Sequence, residues 1–307
     1  MSKRIKLIAN PVAGNHAVAK QWPEVRKRAE RTIGQLEWEF TRGAGHATTI
    51  TRQALAEGFE TVVALGGDGT INEVVNGFFE DARLIRPEAN LAVIPMGTGG
   101  DWVKTLMVGD TWEEAVEHIA NGSSKQCDLG LLRCRSPEGD PISRYFLNVA
   151  DAGFGGTLVQ FVNGTTKAFG SFFAYLIGLL RTLSIYKNTA MQIAVDDAFA
   201  EERVVSSVTV ANGQFFGGGM WIAPEARIDD GLFEVIVVGD VTRREVLANI
   251  HKLYNGTLAT HKKVTCLRGK HVTLNCEHQV FLEADGELAG KLPVSFEVIP
   301  GALKVIC

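Results

Sequence analysis

The run Gly66-Gly67-Asp68-Gly69-Thr70-Ile71-Asn72-Glu73 holds the residue types of a phosphate site: glycines, one carboxylate and small polar side chains. Glycines let the backbone turn sharply and approach a ligand closely. Amides at the start of a helix attract an anion. Asp68 puts a carboxylate in the same loop, which suits a divalent cation travelling with a phosphate. Two other loops have a similar texture: Asn10-Pro11-Val12-Ala13-Gly14 and Pro95-Met96-Gly97-Thr98-Gly99-Gly100-Asp101. The chemistry expected of such a set is nucleotide binding and phosphoryl transfer. The loops do not fit GxxxxGK[ST], because no Lys-Ser or Lys-Thr follows the glycines, and no GxGxxG follows the first strand.

Each loop is preceded by a strand-like run, at residues 5–9, 61–65 and 91–94. In a parallel sheet all three loops would lie at the carboxyl edge, where such folds bind ligands. Helices are expected at about 18–36, 47–57, 71–79 and 112–120, with a further strand at Trp38-Glu39-Phe40. Ile71, Val74, Val75, Phe78 and Phe79 form one apolar stripe, and Thr70 and Glu73 have capping-box spacing. A lone Gly-Asp-Gly would read as a simple strand-to-helix turn. Its two companion loops carry the ligand reading.

Beyond about residue 130 strand-like segments dominate, at 145–149, 191–195, 206–211, 232–238, 272–274 and 294–299. The exception is an apolar helical stretch at 168–185, with Phe169, Phe172, Phe173, Tyr175, Leu176, Leu179, Leu180 and Leu183. Gly170, Ser171 and Arg181 interrupt it, which argues against a membrane span. A core-packing helix and, on the functional side, one wall of a lipid-accepting cleft or a membrane-touching surface are open readings.

The 307 residues suggest about two domains. A content of 46% hydrophobic and 21% charged residues is that of a soluble globular protein, and a net charge of −4 argues against general nucleic-acid binding. Five cysteines without a CxxC pair read as free thiols in a reducing cytoplasm. The start of the chain carries no apolar run suited to a signal peptide or anchor.

Taken in order, further segments complete a pattern: Thr41 with Gly45-His46-Ala47, Asp128-Leu129-Gly130, Gly217-Gly218-Gly219-Met220, Ala223-Pro224, Asp229-Asp230-Gly231-Leu232 and Asp285-Gly286-Glu287. With Asn10-Pro11, Gly14, Gly66 to Gly77 and Gly97-Thr98-Gly99, the chain resembles the diacylglycerol kinase catalytic-domain family. That family contains soluble bacterial lipid kinases, is related to sphingosine kinases and is more distantly related to NAD kinases.

The resemblance implies an α/β protein of two domains. The first, 1–130, is a Rossmann-like nucleotide-binding domain. The second, 131–307, is a β-sandwich-like lipid-binding domain whose last strand can return to the first. It implies ATP and Mg²⁺ as cofactors. Asn10, Pro11, Gly14, Thr41, Gly66, Gly67, Asp68, Gly69, Thr70, Asn72 and Thr98 would hold ATP. Asp68, Asp101 and Asp128 would form an acidic network around the catalytic Mg²⁺. Asp230, with the backbone carbonyls of Arg227 and Leu232, resembles a structural Mg²⁺ site. Glu287 is the expected general base, assisted by Asp285.

The implied reaction moves the γ-phosphate of ATP to a lipid hydroxyl in phospholipid biosynthesis, with diacylglycerol the leading acceptor. Phosphatidylglycerol and a sphingoid base are alternatives. The implied partners are a lipid at the membrane surface and a second copy of the chain in a homodimer, with no nucleic acid and no transmembrane segment. The implied place is the cytoplasm, peripherally at the inner face of the membrane. An NAD-kinase-like enzyme acting on a soluble dinucleotide and a non-catalytic regulator remain rival readings. Asp229-Asp230-Gly231 and Asp285-Gly286 also read as turns. The family usually has Asn before the third-loop aspartate, where this chain has Gly100.

Overall fold

The structure, a computed structural model, describes residues 4–97, 99–106, 108–109, 111–164, 178–179 and 181–307. The chain divides into two compact units, one of Met1–Leu129 with Pro300–Cys307 and one of Gly130–Ile299.

The first unit is built on parallel strands. β1 (Ile5–Ala9) lies between β2 (Glu37–Phe40) and β3 (Thr61–Gly66), and β3 pairs with β6 (Asn90–Pro95). Between β3 and β6 a small hairpin is formed by β4 (Phe79–Glu80) and β5 (Arg83–Leu84). The far edge of β6 is closed by Lys304 and Val305, at the end of the 20-residue strand β18 (Glu287–Ile306). Side chains alternate across a strand. Leu7, Ala9, Val63, Leu65, Ala92 and Ile94 pack with α1 (Ala13–Thr32) and α5 (Trp112–Asn121). Ile8, Val62, Ala64, Leu91 and Val93 are buried as well, because α2 (His46–Ala56) and α3 (Asp68–Gly77) cover the other face. Burial on both faces explains why these strands are continuously apolar.

Several sequence expectations shift. The first helix ends at Thr32 rather than near residue 36, and Gly34, at φ +106°, turns the chain back. α3 starts at Asp68 and ends at Gly77, so Phe78 and Phe79 lie past it. Its N-cap is Gly67, which makes no side-chain cap, and the expected Thr70–Glu73 capping box does not form. The helix begins earlier than the box requires, so Glu73 reaches the neighbouring helix instead. Its two carboxylate oxygens accept the Gly45 and Ala47 amides at 2.8 and 3.1 Å, capping α2. A capping box does occur at Thr111 and Glu114, which open α5.

The second unit is antiparallel. β10 (Thr189–Val195) pairs with β11 (Phe199–Ala211) and β16 (His271–Asn275), and β16 pairs with the part of β18 around Val294. The later half of β11 runs between β14 (Phe233–Gly239) and β9 (Val149–Gly153). β14 continues to β15 (Val264–Gly269), and β17 (Phe281–Ala284) lies between β9 and β18. β7 (Ser124–Arg135) pairs with β8 (Pro141–Phe146) over 130–135. A short hairpin of β12 (Phe215–Phe216) and β13 (Met220–Trp221) carries the Gly217–Gly219 turn. Phe146 stacks on Phe233 at 5.7 Å and meets Phe296 edge-on at 6.0 Å, in a core completed by Val208, Val210 and Val235.

The single strand expected at 145–149 is two, β8 and β9, broken at Leu147-Asn148. Amides freed by the break find a carboxylate, as described below. α6 (Phe154–Gly164) precedes the apolar stretch 168–185, most of which lies outside the described residues. Among the described residues no helix is long and apolar enough to cross a membrane, and all five thiols are free.

Candidate active site

The three glycine-bearing loops of the first unit touch one another. Asn10 Nδ2 donates to Thr70 Oγ1 at 2.9 Å, tying the first loop to the start of α3. Asn10 Oδ1 accepts the Val12 amide at 3.2 Å, which shapes the turn through Pro11. Gly14 has φ +59°, and a Cβ there would come within 2.6 Å of the Met96 carbonyl oxygen. A Cβ on Gly97 would fall 2.5 Å from the Gly67 Cα, so the second and third loops meet backbone to backbone. Only glycine permits that approach. Thr41 extends the β2–β1 pairing, its amide donating to the Ala9 carbonyl at 2.9 Å. Gly66 ends β3, and Gly69 and Thr70 lie in the first turn of α3. Asn72 is buried, with Oδ1 accepting from Asn76 Nδ2 at 3.1 Å. Thr98 lies outside the described residues.

Asp68 stands where these loops converge. Its Oδ2 accepts the Gly100 amide at 2.9 Å, just ahead of α4 (Asp101–Leu106). Burial, and then the charge of Asp101, push its carboxyl above the usual range, while the field of the Asp101, Gly100 and Trp102 amides opposes the rise. Its Oδ1 is buried and takes no hydrogen bond from the described residues. Asp101 is buried too and pairs with Lys104 Nζ at 3.1 Å. An unsatisfied hard oxygen beside a second carboxylate fits a Mg²⁺ ion. That ion takes one or two protein carboxylates and completes its shell with water and phosphate. Gly100 gives Asp68 a backbone amide, so the residue type there does not decide that bond. At φ +65° a Cβ on Gly100 would meet open space, and Asn tolerates that conformation.

Asp128 is placed differently. It is buried, and its Oδ1 accepts the Gly301 amide at 2.7 Å, fastening the end of β18. Among the described residues no three His, Cys, Asp or Glu side chains gather closely enough to hold a metal. Asp128→Ala is expected to lower unfolding free energy by about 1 kcal/mol, the cost of leaving the partly buried Gly301 amide without its acceptor. Urea denaturation in a chelating buffer would measure it; a midpoint equal to wild type would show that Asp128 has no structural task.

In the second unit Asp285 and Gly286 form the two-residue turn between β17 and β18, with φ +50° and +81°. This is the geometry of a type I′ hairpin. The Asp285 carboxylate accepts the amides of Leu147 and Asn148, each at 2.9 Å, with Val149 at 3.3 Å, which explains the break between β8 and β9. Glu287 follows the turn, about half exposed, with Oε2 against Arg144 Nη2 at 2.5 Å. Asp230 Oδ1 accepts the Leu232 amide at 3.1 Å, and its Oδ2 meets Arg268 Nη2 at 2.5 Å. Arg227 instead pairs with Asp229 at 3.3 Å. A cation at Asp230 would have to displace Arg268.

Sequence reasoning missed two buried acids. Asp151 on β9 and Glu283 on β17 are directly opposed partners, each 3% exposed. Burial drives the Asp151 carboxyl to about 6 from its ordinary 3.8, although bonds from Thr209, Gly155 and Ser207 oppose it. Burial and then Asp151 push Glu283 well above the usual carboxylate range, against the Gly286 amide. A folded state with a raised carboxyl pKa holds its proton more tightly than the unfolded chain. The stability tied to Asp151 is therefore fully present below pH 3.8 and is lost as pH rises through about 6. Asp151→Asn is expected to remove this loss. Urea midpoints for both proteins at pH about 4.5 and about 7.5 would show it as a smaller drop for the variant. Parallel profiles would mean that Asp151 does not titrate in this interval.

The catalytic domain of diacylglycerol kinases matches residues 4–132, and the YegS C-terminal NAD kinase beta sandwich-like domain matches residues 148–307. A diacylglycerol kinase of Staphylococcus carnosus is 32% identical over 297 residues, spanning 96% of this chain and 92% of the relative. One from Staphylococcus aureus is 30% identical over 300 residues, spanning 96% and 90%. Among solved folds, a Bacillus anthracis protein described as a candidate diacylglycerol kinase superposes with a TM-score of 0.78 at 24% identity, covering 99% of this chain and 97% of that one. Yeast NADH kinase shares the fold at a TM-score of 0.54 and 13% identity, covering 99% and 83%. Two domain matches in tandem and relatives aligned across nearly the whole length lead to one assignment: this chain is a kinase of the diacylglycerol kinase family.

Proposed function

We propose that the protein transfers the γ-phosphate of ATP to the hydroxyl of a membrane lipid, with diacylglycerol the leading acceptor. The observation that carries the reading is the meeting of three glycine-bearing loops around Asp68, one of whose oxygens takes no hydrogen bond from the described residues. The loops bring together backbone amides and small side chains, the groups that bind a phosphate. Asn10, Pro11, Gly14, Thr41, Gly66, Gly67, Gly69, Thr70, Asn72 and Thr98 are assigned to the nucleotide.

Asp68 and Asp101 would hold the Mg²⁺, with Asp128 reaching it through water; when bound, the ion offsets negative charge on the phosphates. Asp230, with the carbonyls of Arg227 and Leu232, would hold a structural cation once Arg268 has moved aside. The acceptor alcohol is a poor nucleophile until it loses its proton, and Glu287 is assigned to take it. Arg144 orients that carboxylate, and Asp285 fixes the turn that carries it by accepting the Leu147 and Asn148 amides. The protein would work peripherally at the inner face of the membrane.

The test is transfer of labelled γ-phosphate from ATP, with Mg²⁺, into a total lipid extract and in parallel into NAD. A labelled lipid that chromatographs as phosphatidic acid would establish the proposed reaction. A different labelled lipid would keep the lipid kinase and change its acceptor. Labelled NAD alone would overturn it.

A further inference from the structure

Glu283 and Asp151 sit opposite one another on adjacent antiparallel strands, in the interior of the second unit. Among the described residues neither carboxyl makes an ion pair. Two buried carboxyls facing each other without a cation cannot both be charged at low cost. Their other bonds divide the roles. Asp151 Oδ2 accepts the Thr209 hydroxyl at 2.7 Å and its Oδ1 accepts the Gly155 amide at 2.9 Å, bonds that favour the ionised form. Glu283 Oε2 accepts one amide, that of Gly286, at 2.9 Å. Gly286 is the second residue of the turn that leads into Glu287.

We propose that Glu283 is a positioning residue for phosphoryl transfer: it holds the Gly286 amide and so fixes the turn from which Glu287 projects. This rests on the assignment of Glu287 as the base. Asp285 grips the same turn from the other side, through the Leu147 and Asn148 amides. The turn is thereby held at both of its residues, each by a carboxyl group. A side chain displaced by about 1 Å can cost up to about 100-fold in rate, which is why a turn carrying a base is worth holding at two points.

The geometry distinguishes two substitutions. Glu283→Gln keeps an oxygen for the Gly286 amide and carries no charge. Glu283→Met is close in volume, keeps the site filled and removes the acceptor. It also removes an acid from beside Asp151, a gain that opposes the cost of leaving the Gly286 amide without its acceptor. Both variants, wild type and Glu287→Ala would be assayed with ATP and diacylglycerol in mixed micelles, alongside thermal melting and hydrogen exchange of the peptide containing Gly286.

Glu283→Gln is expected to keep kcat within about threefold of wild type and to keep Gly286 protected. Glu283→Met is expected to lose protection at Gly286 and about tenfold or more in kcat, with KM for ATP unchanged, at temperatures where its melting curve shows it folded. Wild-type turnover by Glu283→Met beside an inactive Glu287→Ala would overturn the positioning role alone, as would equal impairment of the Gln and Met variants. Wild-type turnover by Glu287→Ala would instead remove the base assignment, and the positioning role with it.

Discussion

Asp68→Asn is expected to lower phosphoryl transfer about 1000-fold while leaving the fold at least as stable as wild type. The two effects share one cause. Asp68 is held partly buried beside Asp101, and its charged form is disfavoured by both burial and that neighbour. Asparagine keeps the size and keeps an oxygen for the Gly100 amide at 2.9 Å, so the loop contact survives. What disappears is the negative charge, the component that a Mg²⁺–phosphate complex needs and that the fold tolerates at a cost. Steady-state turnover with ATP and lipid, alongside the melting temperature, measures both. Turnover within tenfold of wild type would remove Asp68 from the reaction centre, and a lower melting temperature would show that the charge is a structural asset.

The second large effect is Glu287→Ala, expected to lower kcat by about 100- to 10,000-fold with nucleotide affinity unchanged, the range for loss of a general base. Glu287 is the one member of the turn acids available to an acceptor. Asp285 is spent on three backbone amides and Glu283 on a fourth, whereas Glu287 is about half exposed and, among the described residues, pairs with Arg144. Titration of a fluorescent ATP analogue would supply the affinity. If kcat is unchanged, proton removal lies elsewhere; if binding is lost too, Glu287 helps to hold the nucleotide.

The two acidic sites differed in how legible they were. The loops around Asp68 could be read from sequence because strand, glycines and helix are contiguous, and local chemistry determines what contiguous residues do. The β3-to-α3 passage is of this kind. The hairpin turn at Asp285-Gly286 was equally plain. Glu283 and Asp151 were not, because 132 positions separate them and only the β9–β17 register sets them face to face. Glu73 misled for a related reason: its spacing from Thr70 suits a local cap, but the tertiary fold brings the amides of Gly45 and Ala47 within its reach. Asp128 was expected beside the cation from the resemblance alone, and its bond to Gly301, across 173 positions, has no local signature.

The closure of β6 by Lys304 and Val305 has a consequence for the order of events during synthesis. A ribosome delivers the first unit's β1, β2, β3 and β6 early, then the whole of the second unit, and only then the segment that completes the first sheet. Until residues 300–307 emerge, β6 offers a bare row of peptide groups able to recruit any passing strand. The nascent first unit therefore waits, incomplete and adhesive, through the translation of 170 residues. Ribosomes stalled before residue 300 should display a unit that chaperones recognise and proteases cut, and a few more codons should silence both.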